Sequence, residues 1–245
     1  MLKLFIFTTL LVLSSQINAN WFSDIRNVFS SNDSVSSDPQ NVQSELTDNT
    51  IANALKQALL NGASDVINQL SNSGGFNQDE TIRIPFPDSL KIVQTSLDKI
   101  GMGGSLSELE NKLNQAAELA TVKARPLFVD AIKALSWSDV RTLLNGPDDD
   151  ATRYFQERMS DPLRSEMMAV VDESLSKVGA VKAYNSVMNS YNALPFVPQI
   201  DADLSNHVTN RGIAGIFYYH AIEEKNIRNN PAKRTTELLR EVFSD

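Results

Sequence analysis

From Thr47 onward one pattern dominates the chain: apolar residues recur every three or four positions, in stretches ended by Gly, Pro, Asn or Ser. That period suits one stripe of a helix and cannot serve a strand, whose faces alternate every two residues. Ile51, Leu55, Leu59, Val66 and Leu70 form the first stripe before "SNSGG" stops it. A second stretch, capped by Asp88 or Ser89, carries Leu90, Ile92, Val93, Leu97 and Ile100 and ends in "GMGG". The longest begins near Ser105, with Glu108 completing a capping box, and Pro126 is expected to bend or split it.

Ser136 and Ser138 open "SDVRTLL", which Asn145-Gly146-Pro147 closes. "DDDATRYFQERM", then "SDPLRSEMMAVVDESLSKVG" with Ser160 as a cap, then "AVKAYNSVMNSYNAL" follow as further helices. A loop "PFVPQIDADL" precedes a long helix from about Leu204 to Arg228, whose stripe includes Gly212 and Gly215, small enough for another helix to approach closely. Asn230-Pro231 starts a last helix. Only "ETIRIPFPDSL" alternates, through Ile82, Ile84 and Phe86, and Pro85 and Pro87 make it an extended connector rather than a paired strand. Many amphipathic helices with short connections predict one all-α, multi-helix domain over residues 47–245.

What precedes that domain reads differently. Lys3, the apolar run Leu4 to Leu13, and small residues ending at Ala19 have the layout of a secretory signal peptide, 1–19, cleaved after Ala19. The run is too short to span a bilayer, although a retained anchor is the competing reading. Residues 20–46 include "SSNDSVSSDPQNVQSE" and read as a flexible segment. Trp21, Phe22, Ile25 and Phe29 lie at helical spacing and suit docking on the domain or, alternatively, association with the cell envelope. Cysteine is absent, which removes disulfides, thiolate chemistry and lipid attachment, so an exported chain of this kind fits the bacterial periplasm. The mature chain is expected to hold no transmembrane span. With 22 Lys+Arg against 30 Asp+Glu, the net charge of −8 argues against nucleic acid and leaves a protein or small molecule as the partner.

Few residues offer chemistry. Asp148, Asp149 and Asp150 are adjacent, so on a helix they would point about 100° apart and cannot share one ion. They suit an N-cap and first-turn charges. Asp150, Arg153, Tyr154 and Glu157 share a face, as a surface ion-pair set or as the wall of a cleft. His207 and His220 lie on one helix about 20 Å apart and cannot bind one metal. Glu223 and Glu224 follow His220 at ligand-compatible spacing, but the second histidine of a zinc motif is missing, and no metal or cofactor is expected. Ser96 to Lys99 and Ser174 to Lys177 match S-x-x-K without its companion motifs and read as chance. Asn114, Glu118 and Arg125 form one polar group among alanines and leucines, and Glu223, Glu224 and Arg228 form another. Both suit buried salt-bridge networks, or a site if they share a cavity.

"ETIRIPFPDSL", "LNQAAELATVKARPLFVDAIKAL", "LLNGPDDDATRYF" and "GIAGIFYYHAIEEKNIRNNPAKRTTELLREVF" resemble, in order and spacing, the bacterial domain-of-unknown-function family 4197 from Thr47 to Phe243. The resemblance implies an exported bacterial helical domain and supplies no catalytic residue. Its matching positions most suggestive of a site are Glu118, Thr152, Tyr154, Glu224 and Arg228. Two functions remain open: a non-enzymatic binding or interaction module, and an enzyme with a carboxylate and Arg site, such as a metal-assisted hydrolase.

Overall fold

The periodic stretches fold as helices. A computed structural model describes residues 48–229, and over them the chain is all-α, with no strand. The helices are α1 (Asp48–Ser71), α2 (Lys91–Asp98), α3 (Gly103–Thr121), α4 (Ala124–Lys133), α5 (Trp137–Leu144), α6 (Asp150–Lys177), α7 (Ala180–Asn192) and α8 (Leu204–Asn229), with a 3-10 turn at Asp88–Leu90. The expected signal peptide, the N-terminal segment and the helix after Pro231 lie outside the described residues.

Three long helices make the centre: α6 packs along α8, and α3 packs against both. Leu109, Leu113 and Ala116 of α3, Leu163, Met167 and Val171 of α6, and Val208 and Ile216 of α8 are wholly buried there. At Gly212 the three helices come close, since a Cβ on it would lie 3.4 Å from Met167 and 3.9 Å from Ala117. Gly215 serves a different neighbour from the helix expected: a Cβ there would meet the Phe76 ring at 2.8 Å and Ile82 at 3.4 Å. Outside this trio, α1 lies on α8 and α4, while α7 lies on α3 and α6.

The connector before α2 is extended, as the prolines require, yet it is buried: Ile82, Ile84 and Phe86 all enter the core. Neither Asp88 nor Ser89 caps α2 with its side chain; Asp88 pairs with Lys91 instead, at 2.7 Å. The "GMGG" stop is a Schellman-type ending, with Gly101 at φ 77° and the Met102 N–H returning to the Leu97 carbonyl at 3.0 Å. The chain therefore re-enters a helix at Gly103, before Ser105, so the Ser105–Glu108 capping box does not form and Glu108 pairs with Lys112. The long stretch splits ahead of Pro126, which falls in the first turn of α4, where its missing N–H has no intrahelical partner to lose.

Residues 150–177 form one helix rather than two. Ser160 does not cap; its hydroxyl donates back to the Gln156 carbonyl at 2.6 Å. Pro162 sits inside the helix at a cost of about 3 kcal/mol. The uninterrupted stripe Phe155, Met159, Leu163, Met167 and Val171, all buried, outweighs it.

Candidate functional site

α5 starts on a capping box: the Asp139 N–H donates to the Ser136 hydroxyl at 3.2 Å and the Ser136 N–H to the Asp139 carboxylate at 2.9 Å. The corner Asn145-Gly146-Pro147 then leaves the carbonyls ending α5 beside the amides starting α6, and both sets need partners. The aspartates do not supply the cap. Asp149 stands at the N-cap position without a side-chain capping bond, and Asp149 and Asp150 pair with Arg153 at 3.4 and 3.0 Å. Asp148 accepts from the Asn229 amide at 3.1 Å. Only the first-turn part of that expectation holds, through Asp150.

The capping acid comes from α8. Glu224 Oε1 accepts the Ala151 N–H at 2.9 Å, and Oε2 accepts the Thr152 N–H and hydroxyl, each at 2.8 Å. One turn later, Arg228 donates to Oε1 through Nε at 3.1 Å and Nη2 at 2.8 Å, and also to the Leu143 carbonyl at 2.7 Å and that of Leu144 at 3.3 Å. An anion thus meets the N-terminus of α6 and a cation the C-terminus of α5, each at the end of the helix dipole that favours it. The two side chains keep only 6% and 9% of their surface, so the pair is held by low-dielectric contacts on every side.

Asn114 and Glu118 form a second, separate group on α3. The Asn114 side chain stands in for a neighbouring strand: its Oδ1 accepts the Ile84 N–H at 2.8 Å and its Nδ2 donates to the Ile84 carbonyl at 3.0 Å. Glu118 Oε1 accepts the amides of Gly74, Phe76 and Asn77 at 3.1, 3.2 and 3.3 Å. Arg125 does not join it, contrary to the salt-bridge expectation, and bonds Ser64 and Asn68 at 2.9 and 2.7 Å. A buried acid answered by three backbone amides needs no cation.

Asp150, Arg153, Tyr154 and Glu157 do line an open cleft, of about 270 Å³, with Thr142 and Leu143. Tyr154 lies 3.7 Å under the Arg158 guanidinium. Burial, then the Asp139 carboxylate, raises its hydroxyl above the ordinary tyrosine value. The predicted site residues therefore fall into three places, the Glu224 corner, the α3 face and this cleft, and not one pocket.

A small cavity of about 30 Å³ behind the corner had no clear signal in the sequence. Phe128, Phe155, Thr152, Glu224 and His220 line it, with the His220 ring stacked on Phe128 at 4.1 Å and 23°. Its Nε2 is buried with no hydrogen-bond partner among the described residues, and burial lowers the imidazole to about 3. The volume suits one water. Also unforeseen, the Tyr219 hydroxyl donates to Asp79, which pushes that phenol up to about 12. Among the described residues no three His, Asp or Glu side chains are grouped to hold a metal, and no helix is long and apolar enough to cross a membrane.

The family described as "Protein of unknown function (DUF4197)" has a model that matches residues 45–244. The chain belongs to that family. No curated protein and no solved structure matches the chain. In this DUF4197 chain, Glu118 and Glu224 are both committed to distant backbone, one to the turn after α1 and one to the start of α6.

Proposed function

We propose that this domain is a non-enzymatic binding or interaction module of the bacterial periplasm. One observation carries the reading: the buried carboxylates of Glu118 and Glu224 are occupied within the fold, Glu118 by three backbone amides and Glu224 by two amides, the Thr152 hydroxyl and the Arg228 guanidinium. A general acid or base must instead reach a substrate proton. The signal-like N-terminus supports export and the lack of cysteine suits the periplasm, and sequencing of the mature protein from a periplasmic extract is expected to begin at Asn20.

The competing enzyme reading rests on the cleft of Asp150, Arg153, Tyr154 and Glu157, which brings acids, a guanidinium and a phenol to one open surface. Native mass spectrometry of gently purified mature protein, paired with hydrolase assays on ester, phosphate and peptide substrates, separates the two. A bound mass or a protein partner with no turnover supports the module. Turnover lost in both Arg153→Met and Glu157→Gln, with folding intact, contradicts it.

A further inference from the structure

The loop joining α7 to α8, residues 193–203, turns Leu194, Val197 and Ile200 onto the core at every third position and sends Pro195, Phe196, Pro198 and Gln199 outward. Its far end is fixed, since Ala202 packs on the core and Asp203 accepts the Asn206 N–H at 2.9 Å. On this anchored loop Phe196 is fully exposed, and among the described residues it alone, apart from glycines, has a positive φ, at 60°. Pro195 followed by a positive φ is the pattern of a type II turn, whose second corner normally takes Gly or Asn. A bulky aromatic there is unfavourable for the backbone and leaves its ring in water. No packing among the described residues offsets either cost.

Beside the ring lies an open hollow of about 730 Å³, with Asn192, Gln199 and Asp201 as its polar walls and Leu194 and Ile200 as its apolar ones. No Lys or Arg among the described residues forms an ion pair with Asp201.

We propose that Phe196 anchors a docking site for a protein partner that offers an apolar pocket to the ring and a Lys or Arg to Asp201. The proposal rests on the module reading and names its partner class. Charge selects the occupant: the chain carries −8, so a basic partner is attracted, whereas a second copy brings a second Asp201 and the same net charge. An anionic lipid surface is repelled for the same reason, and a lone ring beside a polar hollow lacks the broad apolar face of a membrane-lying helix. Buried aromatic anchors inside a polar rim are how protein interfaces concentrate their affinity.

The test is selection of a phage-displayed random peptide library on the mature protein, with Phe196→Gly and Asp201→Lys as counter-targets. Enriched peptides are expected to place Lys or Arg beside a large apolar residue. They are expected to bind each variant about tenfold or more weakly, as the loss of a hot spot does. Thermal unfolding of Phe196→Gly at or above the parent midpoint shows that the loss is not misfolding. Peptides that bind all three proteins equally overturn the Phe196 site while leaving a binding module in place; no enrichment overturns the site as well. Flotation on phosphatidylcholine vesicles, or a dimer in solution, that is lost in Phe196→Gly would reassign the ring to lipid or to a second copy and so overturn the partner named here. Turnover by the cleft would instead overturn the module reading itself.

Discussion

At the scale of the residue, two side chains sit where folding alone would not place them. Phe196 occupies a left-handed turn position while fully exposed. Replacing it with Gly relieves the backbone and is expected to raise stability by up to about 1 kcal/mol, read as a higher urea midpoint at unchanged slope. His220 is held neutral in the fold down to about pH 3, whereas in the unfolded chain it takes up a proton near pH 6.5. Because the folded value is depressed, the unfolded state binds more protons between those limits. Stability is therefore lost as pH falls from about 6.5 toward 3, at up to about 1.4 kcal/mol per pH unit. His220→Phe retains the stack on Phe128 and removes the titration. Its stability is expected to decline less than the parent's between pH 7 and pH 4.5 in urea melts, and parallel curves would contradict the assignment.

Between elements, polar side chains hold the backbone that helices leave unpaired. Asn114→Ala strands the Ile84 N–H and carbonyl in the core and is expected to cost about 2 to 4 kcal/mol, measured by chemical denaturation. Glu224→Gln leaves the Arg228 guanidinium buried against one fewer charge and is expected to cost about 3 kcal/mol. The double variant Glu224→Gln with Arg228→Met should lose less than the two single losses summed, because the residues act as one unit. The helices themselves were legible from apolar period, and so was the extended connector from its prolines. The capping acid of α6 was not: three aspartates stood at the expected position, while the residue that does the work lies more than seventy positions away on α8. Local pattern cannot reveal a cap supplied through tertiary packing. For the same reason Ser160 and Pro162 suggested a break that the buried stripe on both sides overrides. Glu118, Glu224 and Arg228 were visible as polar residues in apolar surroundings, and Thr152 only through the family resemblance, but whether they shared a cavity depended on packing that no spacing encodes.

For the whole molecule, α3 and α8 act as two rails. Each carries a polar residue pair four positions apart that fixes a distant turn, Asn114 with Glu118 on one and Glu224 with Arg228 on the other. The fold thereby fixes these turns to the three-helix centre, while the outer cleft and Phe196 stay open to solvent. Residue-resolved hydrogen exchange on the parent, Glu118→Gln and Glu224→Gln tests this division most directly, under conditions where all three remain folded. Glu224→Gln is predicted to speed exchange at Ala151 and Thr152 while sparing Gly74, Phe76 and Asn77, and Glu118→Gln to do the reverse. Unchanged protection at those amides in both variants would mean that the carboxylates do not hold the backbone, and would contradict the account at its centre.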